Sequence, residues 1–139
     1  MNQPAILTSN DYTLLETLIQ CWSEPFPGAT SFVRAKLRTA ALIFPSDLPP
    51  NVVTLHSRVR FLPPGGGTEE RTLVRRPDEH INGMTLLLET PRGLALIGAQ
   101  AGQVVDVLQR DGRLDRLYVE AVPYQPVRRT SGAKLKIVC

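Results

Sequence analysis

Asp47, His56 and Ser57 supply the three residue types of a hydrolytic triad. His56 and Ser57 are neighbours in a segment of alternating polarity, so on a strand they point to opposite faces and the imidazole cannot activate the hydroxyl. The chain also lacks the G-x-S-x-G turn that presents a nucleophilic serine. Asp78, Glu79 and His80 form a second set, of acid/base type. Their run of charge beside Pro77 reads as a solvated loop balanced by Arg75 and Arg76. Gly65, Gly66 and Gly67 resemble a phosphate cradle, which requires a following Lys-Ser/Thr and a helix N-terminus. Thr68-Glu69-Glu70-Arg71 follows instead, placing two carboxylates where phosphate would sit, so a hairpin turn is favoured. The soft metal ligands are Cys21, Cys139, His56 and His80, with no CxxC pair and the histidines 24 positions apart. A zinc site needs about four such groups together. No metal or cofactor is therefore expected; Cys21 should be half-buried and Cys139 free, in a reducing compartment.

Two further groups concern binding. Arg128, Arg129, Lys134 and Lys136 lie in a C-terminal stretch without acids; removing their charge from the total of +3 leaves a body of −1. A near-neutral body is not built to neutralise many phosphates, so nucleic-acid contact is at most weak and confined to this tail. Trp22, Glu24 and Phe26 sit between two helical segments. The aromatics either pack beneath the turn or form an exposed anchor of the kind enriched at interfaces.

The elements that carry these residues can be read from periodicity. Ser9 or Asn10 caps a first helix, with Asp11 in its first turn and Tyr12, Leu15, Ile19 and Trp22 at helical spacing. Pro25 and Pro27-Gly28 stop it. A second helix opens near Thr30 or Ser31, carries Val33, Leu37, Ala40 and Phe44 on one face and Arg34, Lys36 and Arg38 on the polar side, and ends at Pro45. Such a pair forms a short antiparallel hairpin with arms about 20 Å long.

From residue 51 the period becomes two. Val53, Leu55, Val59 and Phe61 share one strand face, with Thr54, His56, Arg58 and Arg60 on the other. Further strands are predicted over Thr68–Arg76, Met84–Glu89, Val104–Gln109 and Leu114–Tyr124, the last two turned by Asp111-Gly112. A short helix opens at Pro91, runs through Leu94-Ala95-Leu96-Ile97 and stops at Gly98. The fold class is α+β: a helical hairpin over residues 1–48, an antiparallel sheet with one short helix over 49–126, and a basic tail over 127–139. The N-terminus lacks a signal peptide's pattern, and the longest apolar run, Ala40 to Phe44, falls far short of the ~20 residues that span a bilayer. A soluble, cytoplasmic protein without membrane contact is expected.

Several stretches carry a resemblance. Pro49-Pro50-Asn51-Val52-Val53-Thr54-Leu55-His56-Ser57-Arg58-Val59-Arg60-Phe61 and Arg71-Thr72-Leu73-Val74 look like successive strands of Rnk proteins, regulators of nucleoside diphosphate kinase. Glu89-Thr90-Pro91-Arg92-Gly93-Leu94-Ala95-Leu96-Ile97-Gly98, followed by Ala101-Gly102, resembles the SP-x-G-x-ALIG-x-x-x-G signature of GreA/GreB C-terminal domains. Glu120 to Pro126 is similar to the closing strand. The resemblance implies an FKBP-like domain, coiled-coil-like helices before it, and binding to RNA polymerase near its secondary channel, with Glu89, Thr90 and Pro91 facing the polymerase. Transcript-cleavage relatives use hairpin arms of about 35 residues, or about 50 Å, to deliver an acidic pair that holds magnesium. Here the turn reads Ser23-Glu24-Pro25-Phe26-Pro27-Gly28, with one carboxylate on a much shorter hairpin. A non-catalytic regulator competing with cleavage or elongation factors is expected. Rival readings are an FKBP-like prolyl isomerase, whose aromatic pocket would have to use Phe61, Tyr118 and Tyr124, and weak DNA binding through the tail.

Overall fold

The computed structural model describes residues 4–126; the basic tail and Cys139 lie outside the described residues. A short strand, β1 (Ile6–Thr8), runs directly into helix α1 (Ser9–Cys21). The cap is Thr8, one residue before the expected Ser9 or Asn10: its hydroxyl accepts the Asp11 N–H at 3.0 Å. Thr8 thereby satisfies one of the N–H groups that the first turn leaves without a helical partner. The buried stripe is Leu14, Leu15 and Leu18, with Tyr12, Ile19 and Trp22 partly buried along its edge. Cys21 is exposed rather than half-buried, because it lies off this stripe on the last turn, and it is disulfide-bonded rather than the reduced thiol expected.

Helix α2 (Ala29–Thr39) buries Ala29, Val33 and Leu37 and ends well before Pro45. Ala41–Ile43 instead form strand β2, parallel to β1, with Ala41 N–H donating to Ala5 O at 2.8 Å. A residue before proline is driven away from helical backbone, and Ile43 is β-branched, so Leu42-Ile43-Phe44-Pro45 favours extension. Phe44, expected on the helix's apolar face, is consequently 72% exposed. Lys36 also departs from expectation: its side chain turns inward from the polar face.

The main sheet is mixed, correcting the antiparallel expectation. Its strands are β3 (Arg58–Leu62), β4 (Glu69–Val74), β5 (Thr85–Leu87), β6 (Val104–Leu108) and β7 (Leu114–Tyr124), in spatial order β5-β4-β3-β7-β6. The β3–β4, β3–β7 and β6–β7 pairs are antiparallel, but β5 runs parallel to β4. Between β4 and β5 the chain makes a 3-10 turn at Pro77–Glu79 and crosses back before pairing, whereas a tight turn would have reversed it. Residues 51–57, expected to extend β3, are irregular: Val53 exchanges backbone hydrogen bonds with Gly98 and Ala99. His56, at φ 72°, lies in a turn closed by Thr54 and Ser57, which buries Thr54 where solvent exposure was expected.

Helix α3 (Pro91–Leu96) packs on β6 and β5. One hydrophobic cluster joins Leu14, Leu18 and Val33 of the helical pair to Val59, Phe61 and Val119 of the sheet and to Leu94 and Leu96 of α3. The turn between α1 and α2 rests on the sheet as well. A Cβ on Gly28 would come 2.9 Å from a Leu108 methyl, and the Arg110 guanidinium stands 5.5 Å from the Phe26 ring.

Candidate functional site

The segment 89–98 is built from within by its own residue types. Thr90 caps α3, accepting the Gly93 N–H at 3.1 Å while its hydroxyl donates to Leu87 O at 2.7 Å. Pro91 occupies the first helical position, where its missing N–H costs nothing, and is buried. Gly93 lies against the β5 backbone: a Cβ there would come 2.2 Å from Leu87 O and 2.6 Å from Leu88 O. Leu94, Ala95, Leu96 and Ile97 are buried, and Gly98 leaves the helix at φ 85° against Ala5 and Leu7. Each of these residues therefore has a structural reason to be present. Glu89 is the exception. It is half-exposed and, among the described residues, has no side-chain hydrogen bond or ion pair.

Beside this segment a cavity of about 400 Å³ separates Thr90, Pro91 and Arg92 from Gln109, Arg110 and Arg113 of the β6–β7 loop. Its arginines are already engaged: Arg92 with Glu69 at 3.2 Å, Arg113 with Asp111 at 3.1 Å, and Arg110 over Phe26. These contacts tie Arg92 to β4 and the β6–β7 loop to the α1–α2 turn, and supply no acid or base.

Lys36 and Asp11 hold the scaffold under the segment, and neither was anticipated. The Lys36 ammonium donates to Leu94 O at 2.6 Å, Ala95 O at 3.1 Å and Ile97 O at 2.6 Å, where the unpaired carbonyls of α3 converge. Enclosure lowers its pKa to about 7. Only its place between Val33 and Leu37, on the margin of an apolar face, hinted at this. Asp11 is buried, and its carboxylate accepts the Thr54 hydroxyl, tying α1 to the turn that precedes β3. Burial raises its pKa, opposed by the Thr54 and Thr8 hydroxyls and the Leu55 backbone.

The helical turn holds the other predicted site residues, all committed locally. Trp22 Nε1 donates to Thr30 Oγ1 at 3.0 Å. Glu24 accepts the Thr30 N–H at 2.9 Å, which holds its carboxyl below the usual range. Phe26 is 4% exposed. Elsewhere the suspected catalytic sets disperse. His56 pairs with Glu79 at 3.1 Å, Ser57 accepts the Thr54 N–H, and Asp47 lies in a separate 3-10 turn. His80 is bonded to Thr85 and Asn82, and Asp78 lies 3.8 Å from Arg76. Gly65–Gly67 turn β3 into β4. Phe61 is buried, whereas Tyr118 and Tyr124 are exposed on β7, so the three aromatics line no common pocket. Among the described residues no group of three metal-ligating side chains converges, and no helix is long and apolar enough to cross a membrane.

Neither a protein-family model nor a curated protein sequence matches the chain. Among solved structures, a prokaryotic transcription elongation factor GreA/GreB from Nitrosomonas europaea is 30% identical, over 88% of this chain and 99% of that chain, with a TM-score of 0.66. The chain belongs to the GreA/GreB family. GreA factor homolog 1 (Gfh1) of Thermus thermophilus aligns over 86% of this chain and 99% of its own at 18% identity and a TM-score of 0.42. Thermus aquaticus Gfh1 aligns at 17% identity over 86% and 97%, with a TM-score of 0.43. Neither Thermus structure is near enough to bear on this chain's function. Within the GreA/GreB family, segment 89–98 of this member is a capped helix pinned by glycine, with one carboxylate left outside.

Proposed function

We propose that this GreA/GreB family member is a non-catalytic transcription regulator of the Rnk type, which docks on RNA polymerase near the secondary channel through Glu89, Thr90 and Pro91. Glu89 carries the reading. It is the one ionisable side chain of that segment without a partner among the described residues, beside a Thr90–Pro91 cap that leaves little backbone entropy to lose on docking. The helical turn supports the non-catalytic half. Its single carboxylate, Glu24, accepts the Thr30 N–H, and its Gly28 backbone lies against Leu108. A turn held on its own sheet does not reach down a channel to complete a magnesium site. Bound at the channel mouth, such a protein excludes longer-armed relatives.

Capture of RNA polymerase by the full chain tests the docking, repeated with Glu89→Lys and Pro91→Ala. Loss of binding by Glu89→Lys with an unchanged melting temperature is expected. Undiminished binding by both variants removes this segment as the docking site.

A further inference from the structure

Strand β2 ends the smaller of the two sheets, and its outer edge is unpaired among the described residues. Two parallel strands of three residues each make a sheet below the size that is ordinarily stable. The backbone of β2 alternates. Ala41 directs its N–H to Ala5 O, so Ala41 and Ile43 face β1, while Leu42 aims its N–H and C=O outward and Phe44 aims its N–H outward; the Phe44 C=O accepts the Asp47 N–H at 2.9 Å. The same two residues present large apolar side chains, 60% and 72% exposed. No charge guards the edge between Ala40 and Pro45, although sheets usually protect such edges with lysine or proline at outward positions. Pro45 shares the parity of Ala41 and Ile43, so its missing N–H leaves no gap on the outer side.

We propose that two copies of this chain pair antiparallel along β2, forming a continuous β1-β2-β2-β1 sheet about a two-fold axis at Ile43. In that register Leu42 of each copy stands opposite Phe44 of the other. The Phe44 N–H of each copy then donates to Leu42 O of the other, and the two side chains meet as a cross-strand apolar pair. The pairing is self-complementary, as a two-fold interface requires. Charge agrees with this arrangement. Antiparallel alignment runs the end of α2 in one copy beside the Pro45–Asp47 turn of the other, bringing Arg38 toward Asp47 in both directions. Both residues are exposed, and neither has an ion pair among the described residues.

Sedimentation of the full chain from about 1 μM to about 1 mM is expected to show a dimer whose fraction rises with concentration. Leu42→Lys and Phe44→Lys, both at exposed positions, are expected to give monomer throughout with unchanged circular dichroism. An Ile43→Cys variant with the Cys21 disulfide left intact places like residues at the axis, as a non-hydrogen-bonded pair with Cα atoms about 4.5 Å apart, and should oxidise to a covalent dimer. Monomer at every concentration without crosslinking overturns the proposal. So does a dimer that survives both lysine variants.

Discussion

The α1–α2 turn and the segment opening α3 both look functional in sequence, yet the fold uses them differently. In the turn every notable side chain has an internal role: Trp22 and Glu24 hold Thr30, and Phe26 is buried beneath Arg110. In the segment the helix takes Thr90, Pro91 and Gly93 but leaves Glu89 to solvent. A motif's functional content is what remains once the demands of folding are subtracted. By that measure the turn retains little and the segment retains a carboxylate.

The largest effects should come from positions where structure claims the motif. Gly93→Ala places a methyl group against the Leu87 and Leu88 carbonyls, and a cost of about 3 kcal/mol or more is expected in urea unfolding. Phe26→Ala should cost a similar amount, about 3 kcal/mol, as a buried aromatic, while leaving polymerase affinity unchanged in whatever fraction stays folded. If Phe26→Ala instead abolished docking without loss of stability, the turn would be a contact surface and the contrast would fail.

Lys36→Met removes the ammonium from the end of α3, leaves the carbonyls with one partner fewer, and should cost about 1–3 kcal/mol. Its pH dependence sharpens the point. With the folded pKa lowered to about 7 by burial, the unfolded chain binds the extra proton between pH 7 and its ordinary value of 10.5. Wild type should therefore gain stability relative to Lys36→Met as pH rises above 7. A difference that shrinks over that range would mean the carbonyls hold the charged form instead. Glu24→Ala should give the smallest loss, a slight fall in melting temperature, because the Thr30 N–H loses its acceptor and turns to water instead.

The helices, the five strands of the main sheet and the Asp111-Gly112 turn were legible because periodicity and turn chemistry are local. The misses share a cause. β2 and the parallel β5 depend on partners distant in sequence, and no window around Leu42 or Thr85 announces strand direction. Lys36 turns inward because α3, far along the chain, offers it carbonyls. At the candidate site the signature named the right segment but not the division of labour within it. That Thr90 and Gly93 are structural while Glu89 is free appears only once β5 is placed beneath α3.

The most direct test of the docking account is competition on stalled elongation complexes between this chain and a transcript-cleavage factor. The account predicts that wild type slows factor-stimulated RNA hydrolysis, adds none of its own, and loses the inhibition in Glu89→Lys. Stimulated hydrolysis by the chain alone, or inhibition undiminished in Glu89→Lys, would contradict it.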